Sequence, residues 1–377
     1  MRAAILVLMA FIFTPQSRSE MIDAYIGTSG TAQPGGKTGT IHKLTLDTET
    51  GTLSAPLAAA EVPNPMFLAV HPEGRALYVA NHTKETAGEP GGSVSTLMIT
   101  KDGLVSQGEQ PAAGVCPCHL AIGGGARVLA TANYGGANVT VFPVSPDGSL
   151  KPRSEIRQHE GSGHDPKRQQ KPFPHGVTFS PDDRFLCVAD LGTDEIRVYE
   201  LDAQAARLSP ADPAFIRLPP GSGPRHLVFA PDGRHAYSGN ELNSTVTALA
   251  WDGGRFTAGD SVSTLPDGFS GDNTVAEIMV SKCGRFVYAS NRGHDSIAIF
   301  RRDGETGALS SIGYAPSGGE KPWSFDLTPC GRWMMVANSR GNEVRLFRVD
   351  PATGTLESHG TPVSLTSPMC VLFAPKT

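Results

Sequence analysis

Several functions are set aside by what this 377-residue chain lacks. It contains no H-E-x-x-H, no paired C-x-x-C and no G-x-S-x-G, which disfavours a zinc protease or a serine esterase of those designs. Basic charge is not in surplus: 32 Lys and Arg stand against 37 Asp and Glu, a net charge of -5 at pH 7. Such a balance leaves no electrostatic footprint for nucleic acid or an anionic membrane. Past Phe13 no apolar run is long enough to cross a bilayer. The six cysteines form no compact disulfide framework. Cys116-Pro117-Cys118-His119 falls one residue short of the C-x-x-C-H haem attachment motif, and most of the cysteines read as small apolar filler. Neither a metal nor a cofactor is expected.

What is abundant is turn chemistry, 43 Gly and 30 Pro, which suits a strand-rich protein dense in tight turns. At the N-terminus, Met1-Arg2 precedes an apolar run from Ala3 to Phe13 and a polar stretch with Ser17 and Ser19 at cleavage-site spacing. Residues 1–19 are therefore expected to be a secretory signal peptide, and residues 20–377 one domain. After cleavage, the product is expected to be a periplasmic or secreted monomer with no membrane attachment.

The stretch from Gly221 to Leu242 reads as a β-hairpin: an apolar strand Leu227–Ala230, a Pro231-Asp232-Gly233-Arg234 turn, and a return strand Ala236–Gly239. The same pattern recurs, with first strands opening at Pro65, Pro117, Pro174, Pro224, Val275, Pro322 and Pro368, a period of 46 to 57 residues. The seventh copy stops after one strand. Its return strand lies at the other terminus, where Ala24–Thr28 matches Leu77–Asn81. Each copy also carries an alternating third strand, such as Val139–Val144, and a weaker fourth. The expected fold is all-β: a seven-bladed β-propeller whose last blade is closed by N- and C-terminal strands.

The repeat separates scaffold from chemistry. After the strand-opening residue come Met66, Cys118, His175, Arg225, Ala276, Trp323 and Met369 in turn, then Phe67, His119, Gly176, His226, Glu277, Ser324 and Cys370. After the Asn or Asp ending the second strand come His82, Tyr134, Leu191, Glu241, Arg292 and Ser339, with Ser29 in the closing blade. Both positions lie at one face of the ring, because the two strands are antiparallel. His175, Arg225, Glu241 and Arg292 are expected to converge on one channel mouth. His119, His226, Glu277 and Lys321 are candidates for supporting or substrate contacts. A polar loop with His164, Asp165, Arg168, Gln169 and Lys171 is either a substrate-contacting rim, with Arg168 at the substrate, or a solvated connection. Two arginines can clamp an anion or a developing oxyanion, and a carboxylate or imidazole beside them can activate water.

In Pro117-Cys118-His119-Leu120, Ala132–Gly136, Gly223–Leu227, Asn240-Glu241-Leu242, Ala276-Glu277-Ile278 and Ser290–Ile297, the sequence resembles the lactonase-type seven-bladed propeller family. That family includes the propeller form of 6-phosphogluconolactonase and is similar to fungal 3-carboxy-cis,cis-muconate lactonizing enzymes. The resemblance implies cofactor-independent opening of a small-molecule lactone, with His175, Arg225, Glu241 and Arg292 as active-site residues. It departs from the family at Phe173 and Trp323, where His and Arg are common, and at His82, where Glu is usual. A lactonizing cycloisomerase and a non-catalytic exported binding platform are the alternatives, and Glu241 and His175 both stand as candidate base.

Overall fold

The computed structural model describes residues 20–29 and 38–375. The stretch 1–19, read above as a signal peptide, lies outside them. The described residues form strands and no helix. Seven four-stranded antiparallel sheets run in chain order, and a two-stranded hairpin, Glu85–Thr86 with Glu89–Pro90, decorates the first of them. Blades 1 to 6 have inner strands Pro65–Val70, Pro117–Gly123, Pro174–Phe179, Pro224–Phe229, Thr274–Val280 and Pro322–Leu327. Blade 7 takes its inner strand, Pro368–Phe373, from the C-terminus and pairs it with Met21–Ser29, then Gly39–Asp47 and Leu57–Val62. The expected two-terminus closure is thus present. It ties the two ends of the described chain into one sheet.

Strand amphipathicity builds the core. Alternate residues of each blade face its neighbours, and the buried apolar side chains sort into seven clusters, each spanning two adjacent blades. Phe286 and Tyr288 of blade 5, for example, pack with Phe325 and Met334 of blade 6. Cys187 and Cys370 are apolar filler of this kind, whereas Cys283 and Cys330 are exposed turn residues. All six cysteines are free thiols.

Three local devices repeat, and together they build the channel mouth. The first-to-second strand turn is closed by a bond such as Gly233 N–H to Ala230 O, with Gly233 at φ 67°, where a side chain is disfavoured. At the other end, in blades 1 to 6, the Asn or Asp ending the second strand is wholly buried, and its side chain bonds its own blade or the segment leading into it. Asn240 Nδ2, for instance, donates to Thr245 Oγ1 at 2.9 Å and Thr247 Oγ1 at 2.8 Å. The third device is a β-bulge. Pro224 pairs with Asn240 and His226 with Gly239, which leaves Arg225 unpaired. The same slip frees Met66, Cys118, His175, Trp323 and Met369, and in blade 5 it frees Ala276 with Glu277. A bulge re-aims one side chain out of the pleat. Here the freed residues of blades 1, 2, 3, 4 and 6 line the mouth, and the blade 4 inner strand begins at Pro224, ahead of the apolar run that starts at Leu227.

Candidate active site at the channel mouth

The open end of the blade 4 hairpin sets the centre of the site. Glu241 N–H donates to Gly223 O at 2.8 Å, and equivalent bonds tie Tyr134 to Cys116, His82 to Asn64 and Ser339 to Lys321. The residue after each buried Asn is therefore fixed beside the bulged residue of its own blade. Glu241, 5% exposed, sits among three cations. Arg168 Nη2 donates to its Oε1 at 2.6 Å, and Arg292 Nη2 donates to its Oε2 at 2.7 Å. Arg225 Nε lies 3.2 Å from the same Oε2, outside hydrogen-bond geometry. Burial alone would raise the Glu241 pKa, but Arg292 and Arg225, helped by His175 and the Arg168 bond, hold it well below the usual carboxylate range. Burial and the like charge of Arg292 bring the Arg225 guanidinium down to about 10, so it is still a cation at neutral pH.

The two buried arginines are held from behind. Arg225 Nη1 donates to Ala276 O at 2.7 Å, and Arg292 Nη2 also reaches Val275 O at 3.1 Å. Trp323 lies over both, 4.4 Å from the Arg292 guanidinium and 5.9 Å from that of Arg225. Among the described residues no acceptor bonds Arg225 Nη2 or Arg292 Nη1. Those donors are left for a ligand.

His175 completes the polar side. Its Nδ1 is 3.7 Å from Cys118 Sγ, and its ring meets Tyr134 edge-on at 5.4 Å. Burial, then Arg225 and His226, keep its pKa well below the ordinary histidine value, so the imidazole is neutral. The site opens as a cavity of about 440 Å³ that His175, Arg225, Glu241, Arg292 and Arg168 line together. An apolar wall of Met66, Val115, Cys116, Cys118 and Trp323 faces them, with His82 and Tyr134 at its edge.

The four residues expected to converge do so. Arg168 joins them because its loop is a built rim. Asp165 Oδ1 accepts from Lys167 and Arg168 N–H at 2.7 and 3.0 Å, and buried Gln169 pins the segment to Leu191 O and Asp194, both at 2.7 Å. His119, His226 and Glu277 do not line the cavity. His119 and His226 stand one residue past the bulge, where the side chain returns to the pleat, and Glu277 is the second of the two residues freed in blade 5; the two rings pack 4.5 Å apart and Glu277 bonds His226. Lys321 is displaced as well, its Nζ turned to the Arg292 carbonyl at 3.5 Å. The apolar wall was in plain view as the bulge series, but its thiols, thioether and indole carry no polar signal. Tyr134, stacked on Phe173 at 4.6 Å, was discernible only by its place after Asn133.

Comparison with known proteins agrees with this architecture. The family model described as "Lactonase, 7-bladed beta-propeller" matches residues 23–373. The 6-phosphogluconolactonase of Bacillus subtilis is 36% identical over 309 residues, 81% of this chain and 85% of that protein. The 6-phosphogluconolactonase of Formosa agariphila is 33% identical, covering 81% of this chain and 86% of its own length. Among solved structures, the periplasmic gluconolactonase of Pseudomonas aeruginosa superposes with a TM-score of 0.86 at 32% identity, covering 94% of this chain and 99% of that one.

Removing the shared counter-ion should be costly, since a buried charge stripped of its partner destabilises by about 3–5 kcal/mol. Glu241→Ala is therefore expected to lower the unfolding free energy by that order, read as a lower urea midpoint, and Glu241→Gln by less. A midpoint unchanged by Glu241→Ala would mean that the arginines do not depend on this carboxylate.

Proposed function

The chain belongs to the seven-bladed β-propeller lactonase family, and from that membership we propose that it opens a sugar-acid or related lactone with water at the channel mouth. It is a carboxylic-ester hydrolase of the lactonase type. The observation that carries the residue assignment is the pair of unpartnered donors, Arg225 Nη2 and Arg292 Nη1, on two buried guanidiniums that line one cavity with a neutral imidazole. Held at the back, these donors lose little freedom on meeting charge that develops in the transition state.

The chemistry follows from that assignment. Water attacks the lactone carbonyl carbon as His175 takes one of its protons, and the carbonyl oxygen becomes an oxyanion facing Arg225 and Arg292. When the tetrahedral intermediate collapses, the bond from carbon to ring oxygen breaks. His175 returns its proton to the departing alkoxide, giving a hydroxy acid that ionises at neutral pH. Glu241 is a poor base here, because three arginines draw on it and hold it ionised. We assign it the role of anchor, which leaves His175 as the base. Negative charge accumulating on the arginines offsets the field that depresses the His175 pKa, so the imidazole gains proton affinity as the reaction proceeds.

We also propose that the enzyme acts outside the cytoplasm. This reading is supported by the signal-like order of residues 1–19 and by the related periplasmic gluconolactonase. Fractionation of the native host should place the protein outside the cytoplasmic membrane, shortened by about the length of a signal peptide; a full-length protein in the cytosolic fraction would overturn it.

Purified protein is expected to hydrolyse at least one of D-glucono-δ-lactone and 6-phosphogluconolactone above the spontaneous rate. His175→Ala should lower kcat by roughly 10²- to 10⁴-fold. Activity is lost only when His175 is protonated, so kcat/KM should stay level from pH 8 down through the ordinary histidine pKa and fall only in more acid solution. No lactone turnover would sink the proposal, and an acid limb at or above pH 6.5, the unperturbed histidine value, would remove His175 as the base.

A further inference from the structure

Beneath the mouth lies a buried array that the hydrolysis scheme does not use. His226 is 3% exposed and Glu277 4%. His226 Nδ1–H donates to Glu277 Oε1 at 2.8 Å, and the same oxygen accepts Ile278 N–H at 3.1 Å. Arg225 Nη1, which is bonded to Ala276 O, lies 3.1 Å from His226 Nε2 and 3.4 Å from its Nδ1, over the face of the ring. Both supports come from the blade 5 bulge, the one that frees two consecutive residues. There Glu277 N–H turns to Ser290 Oγ at 2.9 Å. Ala276 therefore offers its carbonyl to the catalytic arginine of blade 4, while Glu277 offers its carboxylate to the imidazole behind that arginine.

We propose that the Glu277–His226 pair is a positioning device for Arg225, holding the imidazole so that its face backs the guanidinium and so deciding which arginine donors remain for substrate. The proposal rests on the reading of Arg225 as an oxyanion holder. A neutral ring can lie face-on against a guanidinium, whereas an imidazolium there would set cation against cation. Glu277 supplies the acceptor that keeps the proton on Nδ1 and the lone pair on Nε2. The setting keeps the ring neutral: burial, then Arg225 and Arg292, disfavour the imidazolium. His119 packs against His226 at 4.5 Å between centroids and is itself neutral, its Nδ1 accepting Val177 N–H at 3.3 Å. Phe67 closes the stack 4.0 Å from His119. The groups facing His226 thus offer it no second proton acceptor.

Without Glu277 the ring loses the bond that fixes its orientation and is free to turn its face from Arg225. Glu277→Leu is expected to lower kcat roughly 10- to 100-fold, less than the roughly 10²- to 10³-fold that follows outright removal of an oxyanion donor, with KM changed less than about threefold. Glu277→Gln keeps a carbonyl acceptor and should retain activity within about threefold. In an Arg225→Met background, Glu277→Leu should cost nothing further, because residues acting as one unit are non-additive. Nitrogen-15 NMR of the wild type at pH 7.5 should show His226 protonated on Nδ1 and bare on Nε2. That arm needs no turnover, so a protein inactive on every lactone but carrying this tautomer would fault the lactonase reading and leave the positioning intact. Additive losses in the double variant, equal damage from Gln and Leu, or an Nε2-protonated ring would overturn the proposal.

Discussion

One carboxylate governs the mouth of this propeller. Glu241 draws Arg168, Arg225 and Arg292 to within 3.2 Å or less, in a region where two of the three cations are almost fully buried. Concentrating positive charge there is unfavourable without a counter-ion, and the bond energy of any one pair matters less than the fact that all three share it. The sharing also leaves an excess of positive charge and at least one free donor on each buried arginine. A single ionised group thus makes the cluster stable enough to exist and incomplete enough to bind. Burial, with the same field, keeps His175 neutral, which couples the proposed base to whatever charge arrives on the arginines.

The scaffold supplies this cluster through repetition. In blade 4, a buried Asn at the second-strand end, a backbone bond from the next residue, and a bulge in the inner strand place Arg225 and Glu241 side by side. The next blade repeats the bulge and puts Arg292 after its own buried Asn. Residues as far apart in sequence as Arg168 and Arg292 meet because each occupies a phase of the repeat, or the loop just before one. In other blades the same phases carry Met66, Cys118 and Trp323. The cavity is therefore charged on one side and apolar on the other, with no change in backbone plan.

That regularity explains which features were legible. Repeat phase alone named the seven bulged positions and the residue after each Asn, so the fold and the four central residues could be read from spacing. Depth could not. His226 stands one residue beyond its bulge, where a single step along the strand turns a side chain to the other face, and Glu277 belongs to a bulge that frees two residues instead of one. Arg168 was ambiguous for a different reason: its position depends on the Asp165 turn and on Gln169 pinning an irregular loop, and neither has a periodic signature. The apolar wall escaped notice because departures from an apolar repeat reveal only polar groups.

The account stands on Arg225 and Arg292 receiving the substrate carbonyl while Glu241 remains bound to them. A crystal structure with a sugar lactam, in which N–H replaces the ring ester oxygen, tests that most directly. The expected result is a lactam oxygen within hydrogen-bond distance of both guanidiniums, a carbonyl carbon facing His175 with room for one water, and all three arginine contacts to Glu241 retained. A lactam seated elsewhere on the ring, or held by Glu241 with the arginines turned away, would contradict it.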